Sequence, residues 1–195
     1  MILSSLLNNI DAVLGRITAS HLHRYETLQV DLQNRNVAAD KAYQRIFNGF
    51  YKMQRRTEQW YACFFAVLQR EKNNKSITFG QILTQIHAEQ KRVEPSFSSK
   101  LVATIRPEMP VYDKHVRVNL SLSVPAQYKP AHQRIQLLCA MYNALEHKIA
   151  GLIADPIFTT ALRPAFDRKW PAFAHFSEVK KLDFLLWQHR VQNNQ

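Results

Sequence analysis

Two side chains that could share one piece of chemistry stand near the middle of the chain: the carboxylate of Asp113 and, thirteen residues upstream, the amine of Lys100. Pro107 and Pro110 lie between them, and proline cannot continue a helix and restrains the residue before it. SSKLVATI on one side and DKHVRVNL on the other carry helical spacing. The lysine and the aspartate are therefore expected at the starts of two helices joined by a short turn, sharing one pocket. A carboxylate at a helix start accepts free backbone N–H groups and sits at the favourable end of the helix dipole. Both effects keep it ionised and able to stabilise positive charge that develops on a substrate. The amine could contact an anion or, if desolvated, attack carbon as a nucleophile. The plain alternative for Asp113 is an N-cap worth about 1 kcal/mol, and one residue can serve both purposes.

The elements that must position this pair are all helical. Apolar residues from Ile2 to Ile17 recur at helical spacing and predict a first helix of about four turns. Residues 18–40 are mixed and polar, with one helix expected. Residues 39–51 read as a helix burying Tyr43, Ile46, Phe47 and Phe50. Thr57 is a good N-cap for TEQWYACFFAVLQREK, which is apolar nearly all round at its centre and reads as a central core helix. Thr78 with Gln81 forms a capping-box pattern, and Pro95 opens the Lys100 helix. Pro125 and Pro130 bracket a loop. A long helix follows, with Ile135, Leu138, Cys139, Tyr142, Leu145, Ile149 and Leu152 facing inward. Pro156, Pro164 and Pro171 are expected to chop the next stretch into short pieces before a last helix, SEVKKLDFLLWQHR, that begins at Ser177. VRVNLSLSV has some two-residue alternation and is read as helix followed by loop. The fold class is all-α, with residues 1–195 in one domain whose two lobes would meet at a cleft near 96–122.

Composition bounds the partners. The chain has 195 residues, 46% of them hydrophobic, which is enough to bury a real core. With 26 Lys+Arg against 15 Asp+Glu the net charge is +11 and the pI near 9.9. Such a balance points to a polyanion, nucleic acid before membrane surface, although basic surfaces also serve solubility. Only 4 glycines argue against a Gly-rich phosphate loop. Cys63 and Cys139 sit in apolar helical patterns and read as buried free thiols in a reducing compartment; two cysteines exclude a four-cysteine iron–sulfur cluster or zinc ribbon. No metal and no cofactor are expected. MILSSLLNNIDAVLGRI lacks a basic leader and reads as an amphipathic helix, and no apolar run reaches membrane-span length. A cytoplasmic monomer without membrane contact is the expectation.

The segment SSKLVATIRPEMPVYDKHVRVNL resembles the catalytic core of the helix-hairpin-helix DNA glycosylase superfamily, best over residues 96–122. That family has a helix starting near a lysine, a proline-containing turn and a V-D-x-H-V-like helix start. Here Val111-Tyr112-Asp113-Lys114-His115-Val116 carries one residue inserted before the aspartate. VEPSFSSK stands where the family has its Gly-x-Gly phosphate-gripping turn, and the lysine-to-aspartate spacing is shorter. The resemblance implies a DNA N-glycosylase without an iron–sulfur cluster, which flips a modified or mispaired base from duplex DNA and leaves an abasic site. Bulky modified pyrimidines of phage DNA are one class of target, which would make the protein a defence factor.

Roles follow from that resemblance. Asp113 would stabilise the oxocarbenium-like sugar and orient the attacking water. Lys100 would be a Schiff-base nucleophile or a phosphate contact. Ser98 and Ser99 would replace the glycine turn as phosphate ligands, with His115 a further DNA contact. Gln54 would plug the gap left by the flipped base, with Arg55 and Arg56 on the phosphate or the orphaned partner. Tyr112 is the first aromatic expected in the base pocket, and Lys180 and Lys181 are further candidate phosphate contacts. Two rivals remain: a non-catalytic helical DNA-binding module, and a helical ribonuclease in which Arg16 and His21 match the Arg-x4-His spacing of one such class.

Overall fold

The N-terminal apolar repeat folds as two helices, α1 (Ile2–Asn8) and α2 (Ile10–Arg16), where its periodicity predicts one. Asn9 makes the break. Its side-chain amide donates to the Ser5 carbonyl at 2.8 Å, in competition with the helical backbone, while its own N–H turns back to Leu6 at 3.1 Å. In the computed structural model, which describes residues 2–122 and 129–189, the protein is all-α. Among these residues there are eleven α-helices, one π turn, one 3-10 turn and no strand. Pro125, the end of VRVNLSLSV and Arg190 lie outside the described residues.

The remaining helices begin where capping chemistry dictates. Thr18 and His21 form a reciprocal capping box opening α3 (Ala19–Asn34), and Asp40 accepts from Ala42 and Tyr43 to open α4 (Lys41–Phe50). Thr57 caps α5 (Glu58–Glu71), and Thr78 and Gln81 box the start of α6 (Phe79–Gln90), as the sequence predicts. Pro95 opens α7 (Pro95–Ile105) and Asp113 caps α8 (Lys114–Asn119). The long α9 (Ala131–Ala154) buries Leu138, Tyr142, Leu145 and Ile149, with Ile135, Cys139 and Leu152 half-buried.

Pro164 does not end a helix. A π turn over Phe158–Leu162, closed by Arg163 N–H to the Phe158 carbonyl, runs directly into α10 (Arg163–Lys169). Pro164 then falls in the first turn of α10, where a missing N–H costs little. Ser177 caps α11 (Glu178–Gln188).

The buried apolar side chains form one cluster. The helix enclosed on all sides is α7, not α5. Every residue of α7 from Ser98 to Ile105 is buried, against α3, α5 and α6, whereas α5 keeps an exposed stripe. α11 is similarly enclosed, by α2, α8, α9 and α10. Both enclosed helices carry lysines, and those lysines define the site. No helix among the described residues is long and apolar enough to cross a membrane.

Candidate active site

Asp113 is held in place from several directions. The Ser99 hydroxyl, on α7, accepts the Tyr112 N–H at 2.9 Å; the Tyr142 hydroxyl, on α9, donates to the Pro110 carbonyl at 2.7 Å; and the Ser177 hydroxyl donates to the Pro107 carbonyl at 2.7 Å. Asn119 at the end of α8 donates to the Leu186 carbonyl of α11 at 2.7 Å. The turn before Asp113 is thus tied to three helices, and the helix after it to α11. Asp113 itself accepts the Val116 N–H at 2.9 Å as the N-cap of α8.

Lys100 and Asp113 line one pocket, with Phe50, Tyr51, Val111, Val116, Lys180, Asp183, Phe184 and Trp187. Lys100 is not at a helix start: it is the sixth residue of α7, and the buried middle of that helix carries it inward. Its ammonium lies 5.4 Å from the centroid of the Phe97 ring. Among the described residues it takes part in no hydrogen bond or ion pair, although Lys100 is only 9% exposed. Burial pulls the amine below the ordinary lysine range, and the nearby Asp113 charge opposes this in part.

Opposite stands a pair that periodicity does not reveal. Lys180 and Asp183, one turn apart on α11, form an ion pair at 3.0 Å with both side chains buried. The Lys180 ammonium also sits 4.9 Å from the centroid of the Tyr25 ring. Burial is the largest single effect and disfavours its charge, but Asp183, Tyr51 and Tyr25 together outweigh it, and the amine is held above its usual range. Asp183 uses Oδ2 for Lys180, while its Oδ1 is sealed from solvent and, among the described residues, has no partner within hydrogen-bond geometry. Burial pushes the Asp183 carboxyl above its usual range, and the Lys180 charge and hydrogen bond, with the Val111 backbone N–H directed at the carboxylate, oppose this in part. Tyr51 is anchored beside them by a 3.0 Å contact to Thr104. Because the Thr104 hydroxyl donates to the Lys100 carbonyl at 2.7 Å, Tyr51 is the donor of that contact.

The pocket encloses about 40 Å³, and about 410 Å³ of non-atom space when its open mouth is included. The enclosed part is room for a few water-sized groups. Of its aromatic lining, Phe50 and Trp187 are half-buried, and Tyr51 and Phe184 are buried.

The other sequence candidates fall elsewhere. Ser98 and Ser99 are fully buried, Ser98 bonding the Glu94 carbonyl at 2.9 Å and Ser99 serving Tyr112, so neither faces a phosphate. Tyr112 is buried under the Arg117 guanidinium and does not line the pocket. Lys180 and Lys181 are interior residues, not surface contacts; Lys181 donates to the Ala174 carbonyl at 2.7 Å and pairs with Asp167 at 2.7 Å. Arg56 gives both oxygens of Glu94 a hydrogen bond, at 2.9 and 3.1 Å, and stacks over the rings of Phe97 and Trp60. Gln54 and Arg55 are exposed in the loop that follows Tyr51, and His115 is half-buried on α8. Lys52 and Arg55 in that loop both adopt left-handed backbone conformations (φ 52° and 61°), which side chains other than glycine adopt at a cost. Arg16 donates to the Gln188 carbonyl at 3.1 Å, and His21 is committed to capping α3, with burial and then Lys52 and Arg24 lowering its affinity for a proton.

No protein-family model matches the chain, no curated protein matches its sequence, and no solved structure matches its fold.

Proposed function

We propose that the chain is a DNA N-glycosylase that uses Asp113 to break the bond between a sugar and an extruded base. The observation that carries this is the convergence on one aromatic-lined pocket of a helix-capping carboxylate and a buried lysine whose ammonium has no partner among the described residues. In the transition state the glycosidic electron pair departs with the base and the sugar acquires oxocarbenium character. Asp113 stabilises that positive charge. Water then adds its oxygen to the anomeric carbon, one of its protons passing to Asp113 and from there to solvent or the departing base. Lys100 lies where it can donate to the leaving base. Its burial also favours the neutral amine that would take the place of water at the anomeric carbon: the glycosidic bond breaks as the carbon–nitrogen bond forms, ring opening gives a Schiff base, and β-elimination of the 3′ phosphate then cuts the strand. The net charge of +11 suits a duplex partner, and Gln54 and Arg55, exposed in the loop that follows pocket residue Tyr51, are the side chains we assign to meet it.

The test is release of abasic sites from duplexes carrying a panel of lesions and modified bases, phage DNA among them. Activity is expected in the wild type and absent in Asp113→Asn; activity surviving intact in that variant overturns the mechanism. Borohydride trapping of a protein–DNA adduct, lost in Lys100→Ala, would add lyase chemistry. The small enclosed volume favours a second reading, a non-catalytic helical DNA-binding module. Salt-sensitive binding without base release on every substrate would select it.

A further inference from the structure

α3 and α4 pack against each other, and Arg24, Ala42, Arg45, Ile46 and Gly49 line a surface groove between them. Ala42, Arg45 and Gly49 are three and four residues apart and share one face of α4. Arg24 and Arg45 are exposed, one on each helix, and a Cβ added at Gly49 would meet nothing within 4 Å, so the α4 backbone can be approached closely there. The charge along this face is one-sided. Between Asp40 and Glu58 the chain carries Lys41, Arg45, Lys52, Arg55 and Arg56 and no carboxylate. Asp31 and Asp40 pair with Arg35, Glu26 lies beside His23 and His175, and among the described residues no carboxylate pairs with Arg24, Arg45, Lys52 or Arg55.

The groove leads to the candidate active site. Gly49 is followed by Phe50 and Tyr51, which line the pocket, and then by Lys52. On the α3 side the His21 ring meets pocket residue Trp187 edge-on, with centroids 6.4 Å apart. Burial, then the charges of Lys52 and Arg24, lower the proton affinity of His21, so both cations stand near one imidazole beside the pocket wall. Lys52 and Arg55 keep their left-handed backbone conformations (φ 52° and 61°) at a cost that glycine would avoid, and strain retained at two exposed cations points to a role for them.

We propose that the α3–α4 groove seats the phosphate backbone of the DNA strand that delivers a nucleotide to the pocket. Arg24 and Arg45 flank one phosphate over Gly49, and Lys52 and Arg55 take its neighbours. This rests on the DNA partner of the glycosylase reading and adds to it the face on which the strand lies. Guanidinium groups suit the task because their paired N–H donors match phosphate oxygens. Contacts of this kind fix the strand's position and carry no base specificity, which leaves selection of the base to the pocket.

Fluorescence anisotropy of the full chain with a labelled duplex carrying an abasic analogue, titrated at several salt concentrations, tests this. Arg24→Gln/Arg45→Gln should flatten the slope of log affinity against log salt by about 1.8 if both arginines contact phosphate, at about 0.9 per contact. Gly49→Glu places a negative charge where its side chain meets open space and where glutamate favours the helix more than glycine does. It should weaken binding at least about tenfold with no fall in Tm. Arg168→Gln/Lys169→Gln removes the same charge from exposed positions of α10, which has no residue in the groove or the pocket, and should leave the slope unchanged. A slope that the α3–α4 variant leaves unchanged, or that the α10 variant changes equally, overturns the groove; base release on any substrate then leaves the glycosylase intact. Wild-type protein that binds no duplex, or binds only vesicles of acidic phospholipid, overturns the two together.

Discussion

Replacing Lys100 by methionine should make the protein more stable, and the size of the gain follows from what surrounds the ammonium. The methionine keeps most of the buried stem and its packing in α7, so little cavity is created. What disappears is the charge of a residue that is 9% exposed and whose ammonium has no hydrogen-bond acceptor among the described residues. Relief of such a group is worth about 1–3 kcal/mol. Loss of the 5.4 Å contact with Phe97 gives back about 0.5–1 kcal/mol. The two ranges leave about 0–2.5 kcal/mol of stabilisation, centred on about 1 kcal/mol, which for a chain of this size is a rise in Tm of roughly 2–4 °C.

The gain also has a pH signature. Burial lowers the folded amine below its ordinary 10.5, so between the folded and unfolded values the unfolded chain binds the extra proton. Wild-type stability therefore rises with pH through that window, and Lys100→Met lacks the effect. The methionine advantage should be full below the folded value and shrink as pH approaches 10.5. Paired urea titrations at several pH values, with unchanged m, measure it. A variant that is less stable than wild type by about 1 kcal/mol or more, or a difference that does not change with pH, would refute the claim that this ammonium is buried and unpaired. Base release should be lost in the same variant, making Lys100 a case of stability given up for function.

Three further outcomes are expected. Asp113→Ala should lose about 1 kcal/mol with its helix cap, whereas Asp113→Asn keeps the cap and loses only activity; thermal melts beside an abasic-site assay separate the two. Lys180→Met or Asp183→Leu alone should destabilise by about 3–5 kcal/mol, because each strands the other charge, and the double variant should recover most of that in a denaturant double-mutant cycle. Ser99→Ala removes the acceptor of the buried Tyr112 N–H and should cost about 1–3 kcal/mol by urea melt, with base release falling because the turn carrying Asp113 loosens.

Capping chemistry was the most legible part of the sequence. Thr57, Thr78 with Gln81, Asp113 and Ser177 mark helix starts because their side chains satisfy backbone groups within a few residues of themselves, and Pro95 marks one because its missing N–H has no partner to lose there. The co-location of Lys100 and Asp113 was also legible, from the short proline turn between them. What could not be read was the environment of charged residues. Lys180 and Lys181 have the composition of a solvated basic face, and only tertiary packing places them inside. One local signal was available: Lys180 and Asp183 are three apart within a helix whose neighbours Val179, Leu182 and Leu185 are all apolar, a spacing that lets an ion pair form as the helix is buried. Tyr112 was misplaced because adjacency to Asp113 in an extended segment says little about direction, and successive side chains there point to opposite sides. Asn9 broke the first helix through a bond from its own side chain, which apolar periodicity does not register.

The bonds that fix the turn before Asp113 span 13, 32 and 70 residues of sequence. Closing each loop costs chain entropy before the contact returns anything, so these bonds belong to late events in folding. Most helices here can form and pack on near neighbours while the pocket is still absent. The carboxylate therefore acquires its setting only when α7, α9 and the start of α11 are all in place. The pocket thus reports on completion of the whole chain: no excised fragment spanning only 96–122 carries it, and hydrogen exchange at the Tyr112 amide should track global unfolding, not local opening.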